Sequence, residues 1–341
     1  MNAQKFRTHR LTLRLSQGEI KDELNRRLGR SYDKPKISRW ENEKEPIPDD
    51  VSEILEKMIS TRKQSARVLV LANQKGGVGK TTSSLNLAYG LASIGCRVLL
   101  IDMDPQATAT AGILATFNAD LYNQGKTIAH VILHDKPLEQ VIIKAGNLPD
   151  GRKLDFDFVS SHIDLAETDG RREPGYDAAL REAIEPIQNN YDWIVVDAPP
   201  NLGMLTWMSL AAADEVIVPV RTEPYDTMGV GLIIGTIGKI QRRLNPSLHL
   251  SGVLPTQYNS RKSVDREVLL HLCNMLKDRA PVLGAVPSSA AYGHAARAAR
   301  IALEASPSSP ATTPYLRLAQ ALNARSELPL TAVEKLEVTV R

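Results

Sequence analysis

Residues 68–82 read Val68-Leu69-Val70-Leu71-Ala72-Asn73-Gln74-Lys75-Gly76-Gly77-Val78-Gly79-Lys80-Thr81-Thr82. A short apolar run of buried-strand type leads into a glycine-rich turn, and a helix-length amphipathic stretch opens directly after it. This is the context that a phosphate-binding loop requires. The backbone of Gly76, Gly77, Val78 and Gly79 can curl so that successive N–H groups point at phosphate oxygens, and the following helix adds the positive end of its dipole. Lys80 is then placed to neutralise the β and γ phosphates of a nucleotide, the Thr81 hydroxyl to ligate Mg²⁺, and Thr82 to meet an inner phosphate. A second lysine, Lys75, stands at the front of the loop.

Outward from this segment, β-branched and leucine-rich runs alternate with amphipathic stretches, the pattern of a parallel sheet flanked by helices. Strands are expected at 68–72, 97–102, 155–160, 193–197, 215–220, 249–255 and 282–286. Helices are expected at 81–94, 176–188, 204–211, 228–244, 264–277, 290–304 and 315–323, with a further one near 128–133 in the less regular stretch 118–153. The fold class is α/β, a doubly wound, mostly parallel sheet. Residues 1–67 differ: they carry helical patterning, no strand signal and a Pro46-Ile47-Pro48 break. Ser16 and Glu19 have capping-box spacing before a helix at 17–28, a turn is expected at 29–34, and further helices at 35–43 and 51–59. The expected organisation is a small all-helical domain at 1–60, a linker at 61–67, an α/β domain at 68–325 and a tail at 326–341.

Three acids lie at or just past the ends of expected strands. Asp102 and Asp104 lie in Leu99-Leu100-Ile101-Asp102-Met103-Asp104-Pro105-Gln106, and Asp197 ends Trp193-Ile194-Val195-Val196-Asp197. Ligands of open α/β sheets bind at the carboxyl ends of the strands, and residues two apart on a strand share a side. Both Asp102 and Asp104 can therefore face the loop. The string at 75–82 resembles the deviant Walker A motif of the ParA/MinD family of ATPases, and residues 102–106 match that family's DxDPQ pattern. The resemblance covers about residues 68–322. It implies ATP and Mg²⁺ as ligands and ATP hydrolysis as the activity. It also implies that Lys75 reaches across an ATP-dependent homodimer to the partner's phosphates, that Asp104 orients the attacking water, that Asp102 supports the magnesium shell, and that Asp197 acts as the Walker B aspartate. Asn259 and Pro287 would flank the adenine base.

The 341 residues are 43% hydrophobic and 24% charged, which excludes wholesale disorder. No apolar run has the length of a membrane span. Two cysteines, Cys96 and Cys273, cannot build a disulfide framework or a four-thiolate site. They also fit a cytoplasmic protein, and their placement disfavours a cluster-carrying relative. The net charge of +3 divides unevenly: residues 1–67 hold 16 bases and 11 acids, and residues 68–341 hold 26 and 28. A basic head on a near-neutral body suggests a polyanion contact.

Within the head, Lys34-Pro35-Lys36-Ile37-Ser38-Arg39-Trp40-Glu41-Asn42 resembles the recognition helix of Cro/repressor-type helix-turn-helix domains. The resemblance implies DNA contacts from Lys36, Ser38 and Arg39, and from Gln17 at the start of the preceding helix. In the body, the window 227–264 holds no acid but carries Lys239, Arg242, Arg243, Arg261 and Lys262. In ParA proteins this region is implicated in sequence-independent DNA binding. The combined expectation is a nucleoid-associated DNA-partition ATPase whose N-terminal domain binds an operator, and whose hydrolysis is stimulated by a ParB-like centromere-binding protein. The alternatives are a repressor for which the nucleotide is only a ligand, and a MinD-like membrane-positioning ATPase. Residues 330–341 of the tail, with balanced charge and no aromatics, argue against the latter.

Overall fold

Five apolar residues in a row leave a strand no face for solvent, and the computed structural model buries these runs on both sides. Strands β1 (Arg67–Leu71), β2 (Val98–Asp102), β5 (Asp157–Val159), β6 (Trp193–Asp197), β7 (Glu215–Arg221) and β8 (His249–Thr256) form one sheet in the order β5-β2-β6-β1-β7-β8. Every pairing in it is parallel. Between β2 and β5, β3 (Gly146–Asn147) and β4 (Lys153–Leu154) make a separate antiparallel pair. Alternation along the strands divides the core into two layers. Val68, Val70, Ile194 and Val196 pack on one face with Ile128, Leu205 and Ile233. Leu69, Leu71, Trp193 and Val195 pack on the other with Leu87, Leu91, Tyr315 and Leu318.

The described residues are all except 14, 62–64, 115–117, 149, 172, 278 and 332–341. They fall into two units, Met1–Ser65 and Ala66–Arg341. The expectations for the linker at 62–64 and for most of the tail lie outside the described residues.

In the first unit, α1 (Ala3–Thr12), α2 (Gln17–Leu28), α3 (Lys34–Glu41) and α4 (Asp49–Thr61) enclose Phe6, Ile20, Leu24, Ile37, Trp40, Val51 and Leu55. The capping box of Ser16 and Glu19 is formed, and Gly29 closes α2 at a left-handed φ of 61°. Asp33 caps α3 by accepting the Lys36 N–H at 2.8 Å. Helix α1 was not expected from the sequence: its polar stretch carries Phe6, which is fully buried against Trp40 with ring centroids 5.7 Å apart.

In the second unit, three expected elements are broken. The segment at 282–286 meets β8 through an isolated bridge, Val253 with Val282, and a second bridge, Tyr258 with Pro287, lies just beyond both. Pro281 and Pro287 lack the N–H groups that a continuous ladder needs. The stretch at 176–188 becomes a six-residue helix, Ala179–Ile184, between 3-10 turns, with Pro186 in the second. The stretch at 290–304 divides into Ala290–Arg297 and Ala302–Ala305. Ala299 turns left-handed between them, and the Asn86 side chain captures the Leu303 N–H at 2.8 Å.

Candidate functional site

The loop between β1 and α5 (Lys80–Ser93) sits at the carboxyl edge of the sheet. Gly77 and Gly79 take φ values of 72° and 86°, the left-handed region that glycine enters without a Cβ penalty. The loop is anchored below by Asn73, whose buried amide donates to Pro219 O at 2.7 Å and whose oxygen accepts the Lys75 N–H at 3.1 Å. Lys80 is buried at the start of α5, and its ammonium donates to Lys75 O at 3.1 Å, back across the turn. Burial lowers the Lys80 pKa, and Asp197 and Asp104 oppose that shift.

Asp102 and Asp197 are direct partners across the β2–β6 ladder, and both are fully buried. Burial pushes both pKa values upward; Asp197 raises Asp102 further, while the nearby Thr81 and Ser84 hydroxyls and the charge of Lys80 restrain Asp197. The two carboxylates differ in what occupies their oxygens. Asp102 accepts from the Thr110 N–H at 2.8 Å, the Thr110 hydroxyl at 2.7 Å and the Asp104 N–H at 3.1 Å. Asp197 accepts the Ser84 hydroxyl at 2.9 Å on one oxygen, and its other oxygen is buried without any hydrogen-bond partner. The oxygens of Asp102 tie down the turn after β2, and the carboxylate with an oxygen free of donors is Asp197. Asp104 lies just beyond, 8% exposed, with one oxygen accepting the Gln106 N–H at 2.9 Å.

Lys75 turns sideways, where its ammonium pairs with Asp226, whose other oxygen accepts Arg221 Nε at 2.8 Å. Burial pushes the Asp226 carboxyl up, but Arg221 and Lys75 together hold it below its usual value. Asn259 uses its side-chain oxygen on the Arg261 N–H at 3.0 Å, and Pro287 bridges the neighbouring Tyr258. Thr82 opens α5 beside Thr81, and its carbonyl accepts from the Asn86 amide. The geometry therefore gathers the loop, Lys80, Thr81, Asp104 and Asp197 at one sheet edge. Sequence reading missed Ser84, Thr110 and Asp226. Ser84 was accessible, since it stands one helical turn after Lys80 in a run of four hydroxyl residues. Thr110 and Asp226 carry no local signal.

The bases expected to meet DNA are rearranged. Gln17 donates to Glu41 at 2.7 Å, and Glu41 also holds the largely buried Arg10 at 2.6 Å, so Gln17 belongs to an internal network. Lys36 and Arg39 both pair with Glu45, at 2.5 and 3.2 Å, and Ser38 accepts from the Asn42 amide. The five bases of the acid-free window are all exposed but do not form a single patch. The helix Val230–Arg243 runs back toward the amino edge of the sheet, where Asn245 donates to Leu210 O and Ala213 O just before β7. Arg242 and Arg243 end that helix, whereas Arg261 and Lys262 follow β8 at the carboxyl edge.

A family model described as an AAA domain matches residues 66–250. Over 262 residues the chain is 36% identical to the chromosome-partitioning ATPase Soj of Thermus thermophilus, a match that covers 76% of this chain and 96% of that protein. It is 38% identical over 216 residues to an uncharacterized protein of Mycobacterium tuberculosis; there it spans 62% of this chain and 65%, under two thirds, of the relative. Among solved structures it is similar to cobyrinic acid a,c-diamide synthase of Mycobacterium smegmatis with bound ATP analog and magnesium. That likeness has a TM-score of 0.66 and 31% identity, and covers 78% of this chain and 100% of the other.

Proposed function

The chain belongs to the AAA-domain family and to the ParA/Soj family of partitioning proteins, and from that premise we propose that it is an ATP-hydrolysing DNA-partition protein, switched between DNA-bound and free states by its nucleotide. The observation that carries the reading is the open oxygen of buried Asp197 beside Thr81, Ser84 and Lys80 at the mouth of a glycine loop. A buried carboxylate oxygen without a donor is costly unless a cation completes it. Magnesium is commonly held by one or two protein groups together with substrate phosphates. Among the described residues no group of three His, Cys, Asp or Glu is placed to hold a metal alone, which suits that kind of shared site. Thr81 and Asp197 would hold the ion, Asp102 would support its shell, and Mg²⁺ when bound would neutralise phosphate charge.

The residues then divide the work. Backbone N–H groups of the loop and Lys80 hold the phosphates. Asp104 orients the attacking water, with Asp102 and Thr110 fixing the turn that carries it. Lys75 leaves Asp226 to reach the phosphates bound by a second copy, a charge-supplying role like that of an arginine finger. Asn259 and Pro287 flank the base. The second copy is supported by exposed apolar side chains: Ile163, Trp207, Tyr225, Leu232 and Val264 all follow carboxyl ends of sheet strands.

In this reading Arg261 and Lys262 at the nucleotide edge contact nucleoid DNA without regard to sequence, and Lys239, Arg242 and Arg243 add a separate basic stripe. The N-terminal unit binds an operator through the α3 side chains Lys36, Ser38 and Arg39, which requires Glu45 to yield them to phosphates. A ParB-like centromere-binding protein stimulates hydrolysis and releases the DNA. Among the described residues no helix is long and apolar enough to cross a membrane, and no membrane partner is proposed. Binding of a nonspecific duplex measured with ATP, with ADP and without nucleotide tests the switch, and ATP is expected to give the tightest complex. Equal affinity in all three states would reduce the protein to a repressor that merely carries a nucleotide.

A further inference from the structure

The exit of β8 touches the phosphate loop from behind. Thr256, the last residue of that strand, donates its hydroxyl to Val78 O at 2.8 Å and lies within 3.2 Å of Val220 O. Gln257 follows at φ 54°, a left-handed conformation that is uncommon for a residue with a side chain. In that conformation its amide donates to Gly77 O at 2.8 Å.

These two carbonyls belong to the peptide planes whose other ends are the N–H groups of Val78 and Gly79. A peptide unit is rigid and trans, so its C=O and N–H point in opposite directions. Holding Gly77 O and Val78 O outward turns the two N–H groups the other way, toward the concave side of the loop, where an anion would be met. Beyond Gln257 the chain has little freedom. Tyr258 exchanges backbone hydrogen bonds with Val286 and Ser288. The Asn259 N–H and the Thr222 hydroxyl share one oxygen of buried Asp265, at 2.8 and 3.0 Å. Asn259 then fixes the Arg261 N–H, and Arg266 donates to Ser260 O at 2.8 Å. Exposed Arg261 and Lys262 stand at the end of this braced segment.

We propose that Gln257 is a positioning residue that couples the phosphate loop to the basic pair Arg261 and Lys262. Occupation of the loop sets the orientation of the Gly77–Val78 peptide, Gln257 follows its carbonyl, and the braced turn at 258–262 carries the displacement to the two bases. The inference rests on the nucleotide-switched DNA binding proposed above. It adds a reciprocal requirement, because a coupling free energy between two sites acts equally in both directions: DNA must tighten nucleotide binding by the factor by which nucleotide tightens DNA binding.

The test uses the full chain as wild type, Gln257→Met and Gln257→Glu, all at an exposed position where the fold is not at stake. Anisotropy of a labelled nonspecific duplex is measured with and without ATP, and ATP affinity is measured with and without that duplex. In both variants the ATP-induced gain in DNA affinity should fall about fivefold, the scale of one hydrogen bond. The DNA-induced gain in ATP affinity should fall by the same factor, while nucleotide-free DNA binding stays unchanged. A merely structural role for Gln257 would leave both ratios intact, and that result overturns the coupling. If the wild type itself shows no ATP-dependent DNA binding, the switch fails first and the coupling falls with it.

Discussion

The two edges of the central sheet are built from similar residues and end in opposite states. At the amino edge Arg67 lies over Trp193 at 4.3 Å, pairs with Glu215 and donates to Leu322 O at 2.7 Å, while Ser251 donates to the second Glu215 oxygen at 2.8 Å. Burial brings Arg67 down to about 10, and Glu215 has donors on both oxygens. At the carboxyl edge two buried acids face each other across one ladder rung, and one of them keeps an oxygen without a donor. The first edge matches its charges and is a structural lock. The second leaves a valence for something outside the chain, which is where a site differs from a buried ion pair.

That contrast can be broken most severely through Lys80. Lys80→Ala should lower kcat/KM for ATP by about a hundred- to a thousandfold, the usual cost of a charge-stabilising donor, while the far-UV circular dichroism is retained. Full turnover in this variant would deny the loop its role. At the opposite edge Glu215→Gln should cost about 3 kcal/mol in urea unfolding, because the mostly buried Arg67 loses its partner. ATP turnover of the folded fraction should not change; a turnover defect would mean that the two edges are not separable.

The smallest effect has a sign that distinguishes the edges. The Asp197 carboxyl is raised above its unfolded value by burial, so its contribution to stability is fully present below about pH 4 and is lost as pH rises through the higher folded value. Asp197→Asn should therefore stabilise the nucleotide-free protein by about 1 to 2 kcal/mol at pH 8 and by less at pH 5. Thermal unfolding at the two pH values checks this, and a stability loss that grows with pH would reverse the assignment.

Much of the nucleotide edge was legible because its signals are local. A buried strand, a glycine turn and a helix start are encoded within fifteen residues, and acids at strand ends face the same edge in any parallel sheet. The difference between Asp102 and Asp197 was not legible. Asp102 and Asp197 look alike as strand-terminal acids, and only the Thr110 side chain, eight residues on, separates the satisfied acid from the open one. The placement of the basic residues was not legible either. Lys239, Arg242, Arg243, Arg261 and Lys262 are close along the chain, but their helix ends with Arg242 and Arg243 toward the amino edge, and β8 then returns the chain so that Arg261 and Lys262 lie at the carboxyl edge. In the N-terminal unit, charge counting found the excess of bases, yet Glu45 neutralises Lys36 and Arg39, and Glu41 takes Gln17.

By itself the sequence determined the α/β class, the helical head, the phosphate loop and the set of acids near it, because each depends on periodicity or spacing within a few residues. Tertiary structure alone decided which carboxylate stays open, where Lys75 rests on Asp226, and how Thr256 and Gln257 reach the loop across about 180 positions of chain. Those outcomes are set by which side chains meet in space, and no local pattern encodes that meeting.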